Sequence, residues 1–216
     1  MTVPANRAAH DRIFRILRSE IMQGEIAPGC ALTIRGIAER FGVSMTPARE
    51  AVRRLGAEGA LTPNKAGRVT VPQLSGRRIE ELAAIRALLE PELAGRARPR
   101  AHMALIKRLA QINATCEQAN VQNDAAGYVR ANLEFHHTLY LRAQAPAILA
   151  LVETVWLQLG PTMCASYARL QGAGATAHHR KAIAALKTGD EAVLKEAIRA
   201  DVTRDLHGLD GHRAGF

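Results

Sequence analysis

Residues 44–55, S-M-T-P-A-R-E-A-V-R-R-L, constrain the chain more than any other stretch. Ala48, Ala51, Val52 and Leu55 recur at i, i+3, i+4 and i+7, which puts four apolar side chains on one face of a helix. Thr46, Arg49 and Arg53 fall together on the far side, with Glu50 and Arg54 further round. Ser44 or Thr46 can cap this helix, and Pro47 fits its first turn, where the amide hydrogens lack intrahelical acceptors anyway. A charged face that meets only water is the default reading of such a pattern.

The flanking sequence changes that reading. Upstream, H-D-R-I-F-R-I-L-R-S-E-I-M-Q-G places Ile13, Ile16, Leu17 and Ile21 on one helical face and stops at Gly24, with a Pro28-Gly29 turn beyond. A short second helix begins after Thr33 as N-cap, runs through Ile37, Ala38 and Phe41, and ends at Gly42. Downstream, L-T-P-N-K-A-G-R-V-T-V is two β-prone runs around a turn that carries Lys65, Gly67 and Arg68. Helix, turn, helix and basic hairpin make a winged helix-turn-helix over residues 1–72.

Charge supports a contact role for this region. The chain has a formal net charge of +9 and a pI near 10.2, with 11 basic against 6 acidic residues up to Pro72 and 18 against 14 after it. A basic surface fits a polyanionic partner, but by itself does not separate nucleic acid from an acidic protein or a membrane surface. Cys30, Cys116 and Cys164 are odd in number and widely spaced, matching neither a disulfide framework nor a C-x-x-C site. With no signal-peptide pattern at the start and no uninterrupted apolar run of membrane-spanning length, the expectation is a cytoplasmic protein with no membrane partner.

From residue 73 to 216 the periodicities are helical throughout. Ser75 caps a helix whose apolar positions include Ile79, Leu82, Ile85, Leu88 and Leu89, with Pro91 expected to kink or end it. Further helices are expected at about residues 101–121, 124–144, 146–170, 175–188 and 190–207, with no alternating strand and no internal repeat. The fold class is therefore mainly α: an N-terminal winged helix-turn-helix followed by an all-α helical bundle.

Polar residues interrupt the apolar stripes of that bundle. Asn132, His136 and Tyr140 share a face with Val129 and Ala143; His179 shares one with Ala182, Ile183 and Leu186; Asp201 shares one with Leu194, Ile198 and Val202. A buried histidine or asparagine with one hydrogen-bond partner is common. A carboxylate on an apolar stripe is more demanding, because it must be paired, protonated or bound to a metal. Two imidazoles, a carboxylate and an amide supply nitrogen and oxygen ligands suited to a divalent metal such as Zn, Mn or Ni.

The motifs R-E-A-V-R-R-L after S-M-T-P, and I-R-G-I-A-E-R-F-G-V before it, resemble the DNA-binding domain of GntR-type bacterial transcription regulators. The resemblance implies that Arg35, Ser44, Met45, Thr46 and Arg49 approach a double-stranded operator. It also implies that Arg53 lies near the backbone and that the wing from Lys65 through Gly67 to Arg68 reaches the minor groove. Relatives commonly carry a second basic residue where this chain has Met45, and a thioether cannot donate to guanine as an arginine fork does. The segments E-F-H-H-T-L-Y and H-H-R-K-A-I-A-A-L-K-T-G-D resemble the FCD-type effector domain of the fatty-acid-regulator-like branch. Metal-binding members of that branch use an Asp, a His four later and two further His. Laid onto this chain, those positions are Asn132, His136, His179 and Asp201, so two of the four differ while the carboxylate lost at the first reappears at the last. An altered metal site and a metal-free hydrogen-bond cluster both remain open. Arg86 matches an arginine that faces the effector pocket, the alternative being an Arg86–Glu90 helix pair; His137 and His178 are second choices.

The resemblance implies a non-enzymatic, homodimeric, ligand-responsive regulator, most simply a repressor of a palindromic operator, modulated by a small carboxylate bound at Arg86, Asn132, His136, His179 and Asp201. The competing readings are a metal-dependent hydrolytic enzyme built on His136, His179 and Asp201, and a basic helical adaptor for another protein.

Overall fold

Gly24 at φ 74° and Gly42 at φ 65° adopt left-handed backbone that side chains rarely tolerate, and each follows the end of a helix. The computed structural model describes the backbone of residues 3–63, 68–170 and 176–207, and the side chains of 8–63, 68–167 and 176–204. The first unit comprises the residues up to Leu74 together with Trp156–Thr162; the second comprises Ser75–Val155 and the chain from Met163 onward.

In the first unit, α1 (Val3–Met22) is followed by β1 (Ala31–Leu32), α2 (Ile34–Phe41), α3 (Met45–Ala57), β2 (Thr62–Pro63) and β3 (Val69–Thr70). Thr33 caps α2 by accepting from the Gly36 amide at 2.9 Å. Ser44 holds the capping position of α3 in extended backbone but makes no side-chain capping bond. Two strands were expected; the sheet has three, in the order β1-β3-β2, with Ala31 opposite Thr70 and Thr62 on the other side of Thr70. The extra strand is two residues long, too short for alternation to reveal. Ile13, Leu17 and Ile21 pack with Ala48, Ala51, Val52 and Leu55 around Leu61, Val71 and Leu157. Phe14 is buried where Ile16 was expected, its ring covered by the Arg54 guanidinium 3.9 Å away, while Ile16 is half-buried.

The second unit is helical: α4 (Gly76–Ala97), α5 (Met103–Val121), α6 (Ala125–Tyr140), α7 (Pro146–Leu170), α8 (Ala177–Thr188) and α9 (Glu191–His207), with 3₁₀ turns at Arg98–Arg100 and Leu141–Ala143. α4 and α8 pack along α9, and α5 packs along α6 and α8. Ser75 caps α4 by accepting from the Arg78 amide at 3.3 Å, and Pro91 does not end it. The face α4 buries also differs from the expected stripe. Ile79 and Leu82 are inside, but Ile85 and Leu88 face outward, and Arg86 and Glu90 take the interior positions. Hydrophobicity alone could not foresee this, because the arginine and glutamate neutralise each other one turn apart. Residues 146–167 of α7 have the length and apolarity of a membrane span. Burial of Val152, Val155, Trp156, Leu157 and Leu159 accounts for that apolarity by packing.

Gly160 packs directly against backbone, since a Cβ there would lie 2.0 Å from the Met22 carbonyl oxygen. A Cβ at Gly76 would meet nothing within 4 Å. Gly160→Ala should therefore cost about 1–3 kcal/mol by overpacking, whereas Gly76→Ala should be neutral or stabilising by up to about 1 kcal/mol. Urea midpoints of the two variants check the contrast. The thiols give a second check: burial pushes Cys116 up to about 12, while Cys30 is exposed. Pulsed alkylation read by mass spectrometry should label Cys30 early and Cys116 only after unfolding.

Candidate functional site

The arginines of the first unit divide by what they touch. Arg18 Nε donates to Glu58 Oε2 at 2.9 Å, Arg54 Nη1 to Asp11 Oδ1 at 2.6 Å, and Arg40 to Glu20, so these three fasten helices to one another. Arg35 is exposed and pairs with Glu39 on its own helix at 2.8 Å; Arg53 is exposed and pairs with Glu50 at 2.7 Å. Arg49, exposed on α3, makes no hydrogen bond or ion pair among the described residues. Ser44, Met45, Thr46 and Arg68 are also exposed, Met45 by 47%. Lys65 and Gly67 lie outside the described residues. Thr46, Arg49 and the outward end of Arg53 thus share the solvent side of α3, one of them with its donors uncommitted.

The second unit has a polar interior. His136 of α6, His179 of α8 and Asp201 of α9 are buried together, with one ligand atom from each within 4.8 Å of the others. His136 Nε2 lies 2.9 Å from Asp201 Oδ2, His179 Nε2 lies 3.6 Å from the same oxygen, and the two Nε2 atoms are 3.4 Å apart. Asp201 Oδ1 is buried with no hydrogen-bond partner among the described residues. Burial pushes the Asp201 carboxyl up, but the pull of His179 and His136 outweighs it and holds the group well below its usual range. Burial also pushes the His179 imidazole down, toward the neutral form a metal ligand requires.

The rest of the polar interior runs outward from this centre. On one side His136 Nδ1 is 3.0 Å from the Tyr140 hydroxyl, which donates to Glu90 Oε2 at 2.9 Å, and Glu90 Oε1 accepts from Arg86 Nε at 2.5 Å. Arg86 Nη1 reaches Met163 Sδ at 3.5 Å. Burial and the neighbouring Glu90 carboxylate raise the Tyr140 phenol well above its usual range, so it remains a donor. On the other side His179 Nδ1 is 3.1 Å from Asn113 Oδ1, and Asn113 donates to Glu117 at 3.0 Å. Phe135 stacks on His179 with centroids 3.9 Å apart.

Of the residues expected here, Arg86, Asn132, His136, His179 and Asp201 are all buried. Asn132 sits one turn before His136, but no hydrogen bond joins it to the other three among the described residues. His137 is away from this centre, 3.2 Å from Glu153, and His178 is half-buried with no hydrogen-bond partner for Nδ1 among the described residues. Sequence reasoning passed over Asn113. Its position between Leu109 and Cys116 on a buried stripe is the signal that could have found it.

A winged helix-turn-helix with a solvent-facing basic helix, joined in sequence to a helical unit with a buried polar centre, is the architecture of a DNA-binding regulator. The chain belongs to the gntR family of bacterial regulatory proteins: that family's model matches residues 9–71, and the FCD domain model matches residues 81–204. It is a transcription regulator of this family, with the small sheet as wing and the FCD domain all-helical, and not an enzyme. It is 28% identical over 178 residues to the HTH-type transcriptional regulator McbR of Escherichia coli K12, covering 81% of this chain and 80% of that protein. It is 29% identical over 152 residues to the gluconate operon transcriptional repressor of Bacillus subtilis, covering 70% and 60%. Among solved structures, E. coli McbR/YncC superposes with TM-score 0.87 at 24% identity over 94% of this chain and 98% of that one. A GntR regulator from Rhodococcus sp. RHA1 gives 0.79 at 21% identity over 95% and 100%.

His136→Ala should destabilise the second unit by about 3–5 kcal/mol, because it leaves the Asp201 carboxylate buried with a weaker partner. Adding Asp201→Ala should restore part of the loss, a coupling of about 0.5–3 kcal/mol in urea unfolding of the two single variants and the double.

Proposed function

We propose that the protein is a cytoplasmic, homodimeric repressor of a palindromic operator, modulated by a small carboxylate bound in the helical unit. The observation that carries the DNA-reading part is Arg49. Of the arginines expected at the operator on α2 and α3, it is the one not already paired to a glutamate. Its fork can bind guanine O6 and N7 bidentately, while Arg35 and Arg53 must leave Glu39 and Glu50 to reach DNA. Ser44, with no capping bond to make, has a hydroxyl available for a phosphate, and Lys65, Gly67 and Arg68 are assigned to the wing contact. Repression is supported by the gluconate operon repressor and by a probable D-xylose utilization operon transcriptional repressor of Paenarthrobacter nicotinovorans, 25% identical over 87% of this chain.

Dimerisation follows from operator logic, since two recognition helices read half-sites about one turn, ~34 Å, apart. Ile85 and Leu88, exposed by 37% and 72% on one side of α4, supply an apolar face for that contact.

The buried centre fits a divalent metal. Separations of 2.9, 3.4 and 3.6 Å between the three ligand atoms match the roughly 3.0–3.4 Å between neighbouring ligands of an ion with bonds near 2.1 Å. Asp201 Oδ1, lacking a partner, adds a further oxygen. His136, His179 and Asp201 would hold a Zn, Mn or Ni ion, with the Asn132 carbonyl as the fourth donor. The bound ion would supply positive charge for an effector carboxylate. Arg86 joins that role only if the anion competes with, or shares, the Glu90 pair.

Arg49→Ala should cost about 1–3 kcal/mol on the operator and flatten selectivity at one position, while Lys65→Ala should weaken all sequences alike. Titrations against operator and scrambled duplex decide this, and equal losses on both for Arg49→Ala would remove its base-reading role. Calorimetric titration of Zn²⁺, Mn²⁺ and Ni²⁺ should find one site whose thermal stabilisation is lost in His136→Ala and His179→Ala. A chain that takes up none of the three holds its effector without a metal.

A further inference from the structure

The two buried imidazoles are fixed in one tautomer by what their Nδ1 atoms meet. Tyr140 has a single hydroxyl proton, and it goes to Glu90 Oε2 at 2.9 Å, because a carboxylate only accepts. The phenol oxygen therefore faces His136 Nδ1, 3.0 Å away, as an acceptor, and the ring must carry its proton on Nδ1. The same logic applies on the other side. Asn113 Nδ2 donates to Glu117 Oε1 at 3.0 Å, which turns the amide oxygen toward His179 Nδ1 at 3.1 Å and demands a proton there too. Each acceptor is itself anchored: Glu90 accepts from Arg86 at 2.5 Å, and Glu117 accepts from Arg180 Nη1 at 2.6 Å. With the Nδ1 proton of each ring turned outward, both Nε2 atoms face each other and Asp201 Oδ2, so a proton held there between ring and carboxylate occupies the place a cation would take. Once that proton is gone, three lone pairs converge at 2.9–3.6 Å, and a cation at their meeting point turns their repulsion into binding.

We propose that Tyr140 and Asn113 are positioning residues of the metal site, each accepting an Nδ1 proton so that Nε2 of His136 and of His179 is left open to the cation. The proposal rests on the metal reading above. Outer-shell acceptors of this kind orient a ligating histidine and raise its basicity, and losing one costs about 10–100-fold in metal affinity. The Phe135 ring stacked on His179 fixes the plane of that imidazole, which leaves the tautomer as the remaining variable. Removing the acceptor on either side favours the opposite tautomer, because a proton on Nε2 can then bond Asp201 Oδ2 and occupies the place of the cation.

The test uses the full-length chain, metal-free and in slightly alkaline buffer. Long-range ¹H–¹⁵N imidazole spectra of the parent protein should show both rings protonated on Nδ1. Tyr140→Phe should move His136 alone to the Nε2–H form, Asn113→Leu should move His179 alone, and Asn113→Asp, which keeps an acceptor, should leave His179 as it was. In calorimetry, Zn²⁺ should bind about 10–100-fold more weakly to the first two variants and close to normally to the third. Tyr140→Phe also removes the hydroxyl donor of the buried Glu90 Oε2, so circular dichroism checks that it folds; if it does not, the two Asn113 variants carry the test on His179. Tautomers that stay put in Tyr140→Phe and Asn113→Leu, with Zn²⁺ uptake intact, would overturn the positioning role and leave the metal reading standing. Tautomers that switch as expected in a parent protein that takes up no Zn²⁺ would sink the metal reading instead.

Discussion

A carboxylate shut away from water has to be compensated where it lies, and Asp201, like Glu90, is such a group in the helical unit. Among the described residues its hydrogen-bond partners come from other helices, so α6 and α8 must deliver His136 and His179 to within a few ångströms of α9. The requirement propagates. Each imidazole needs an acceptor for its second nitrogen, and each acceptor needs an anchor, which carries the polar interior through Tyr140 and Glu90 to Arg86 on α4, and through Asn113 on α5 to Glu117. Five of the unit's helices are thereby committed to one arrangement by polar contacts, in addition to the apolar packing that any helical bundle offers. A half-satisfied network of this kind would be worse than an apolar core, which gives each of these side chains a reason to be there.

The DNA-binding unit is organised by the opposite economy, in which charge is kept at the surface and shared out. Arg18, Arg40 and Arg54 fasten helices to one another, and Arg54 also covers the Phe14 ring. Arg35 and Arg53 are held by glutamates on their own helices, in exposed, solvent-screened pairs that a phosphate can displace. Arg49 is held by nothing among the described residues. The wing sheet is minimal, three strands of two residues, and its alignment rests on Leu61 and Val71 being buried at either end of the hairpin.

The helix positions, the winged head and the inward set His136, His179 and Asp201 were legible from the sequence, because helical periodicity at 100° per residue is a local property that a one-dimensional pattern records. Thr33 and Ser75 as caps and Gly42 as a terminator were equally local, each being a matter of one side chain and its nearest amides. Three things were not. The outward turn of Ile85 and Leu88 depended on Arg86 and Glu90 neutralising each other inside, and no hydrophobicity count ranks a buried ion pair above two aliphatic side chains. The strand at Ala31–Leu32 exists only because Val69 and Thr70 lie beside it, a pairing across some forty residues. The tautomers of the two histidines are set by Tyr140 and Asn113, the second of them on a different helix from its imidazole, so only the packing of α5 against α8 could bring acceptor and ring together. The sequence thus determined which residues face inward, and the tertiary structure decided what each of them meets there, because hydrogen bonds and ion pairs act over a few ångströms of space and are indifferent to distance along the chain.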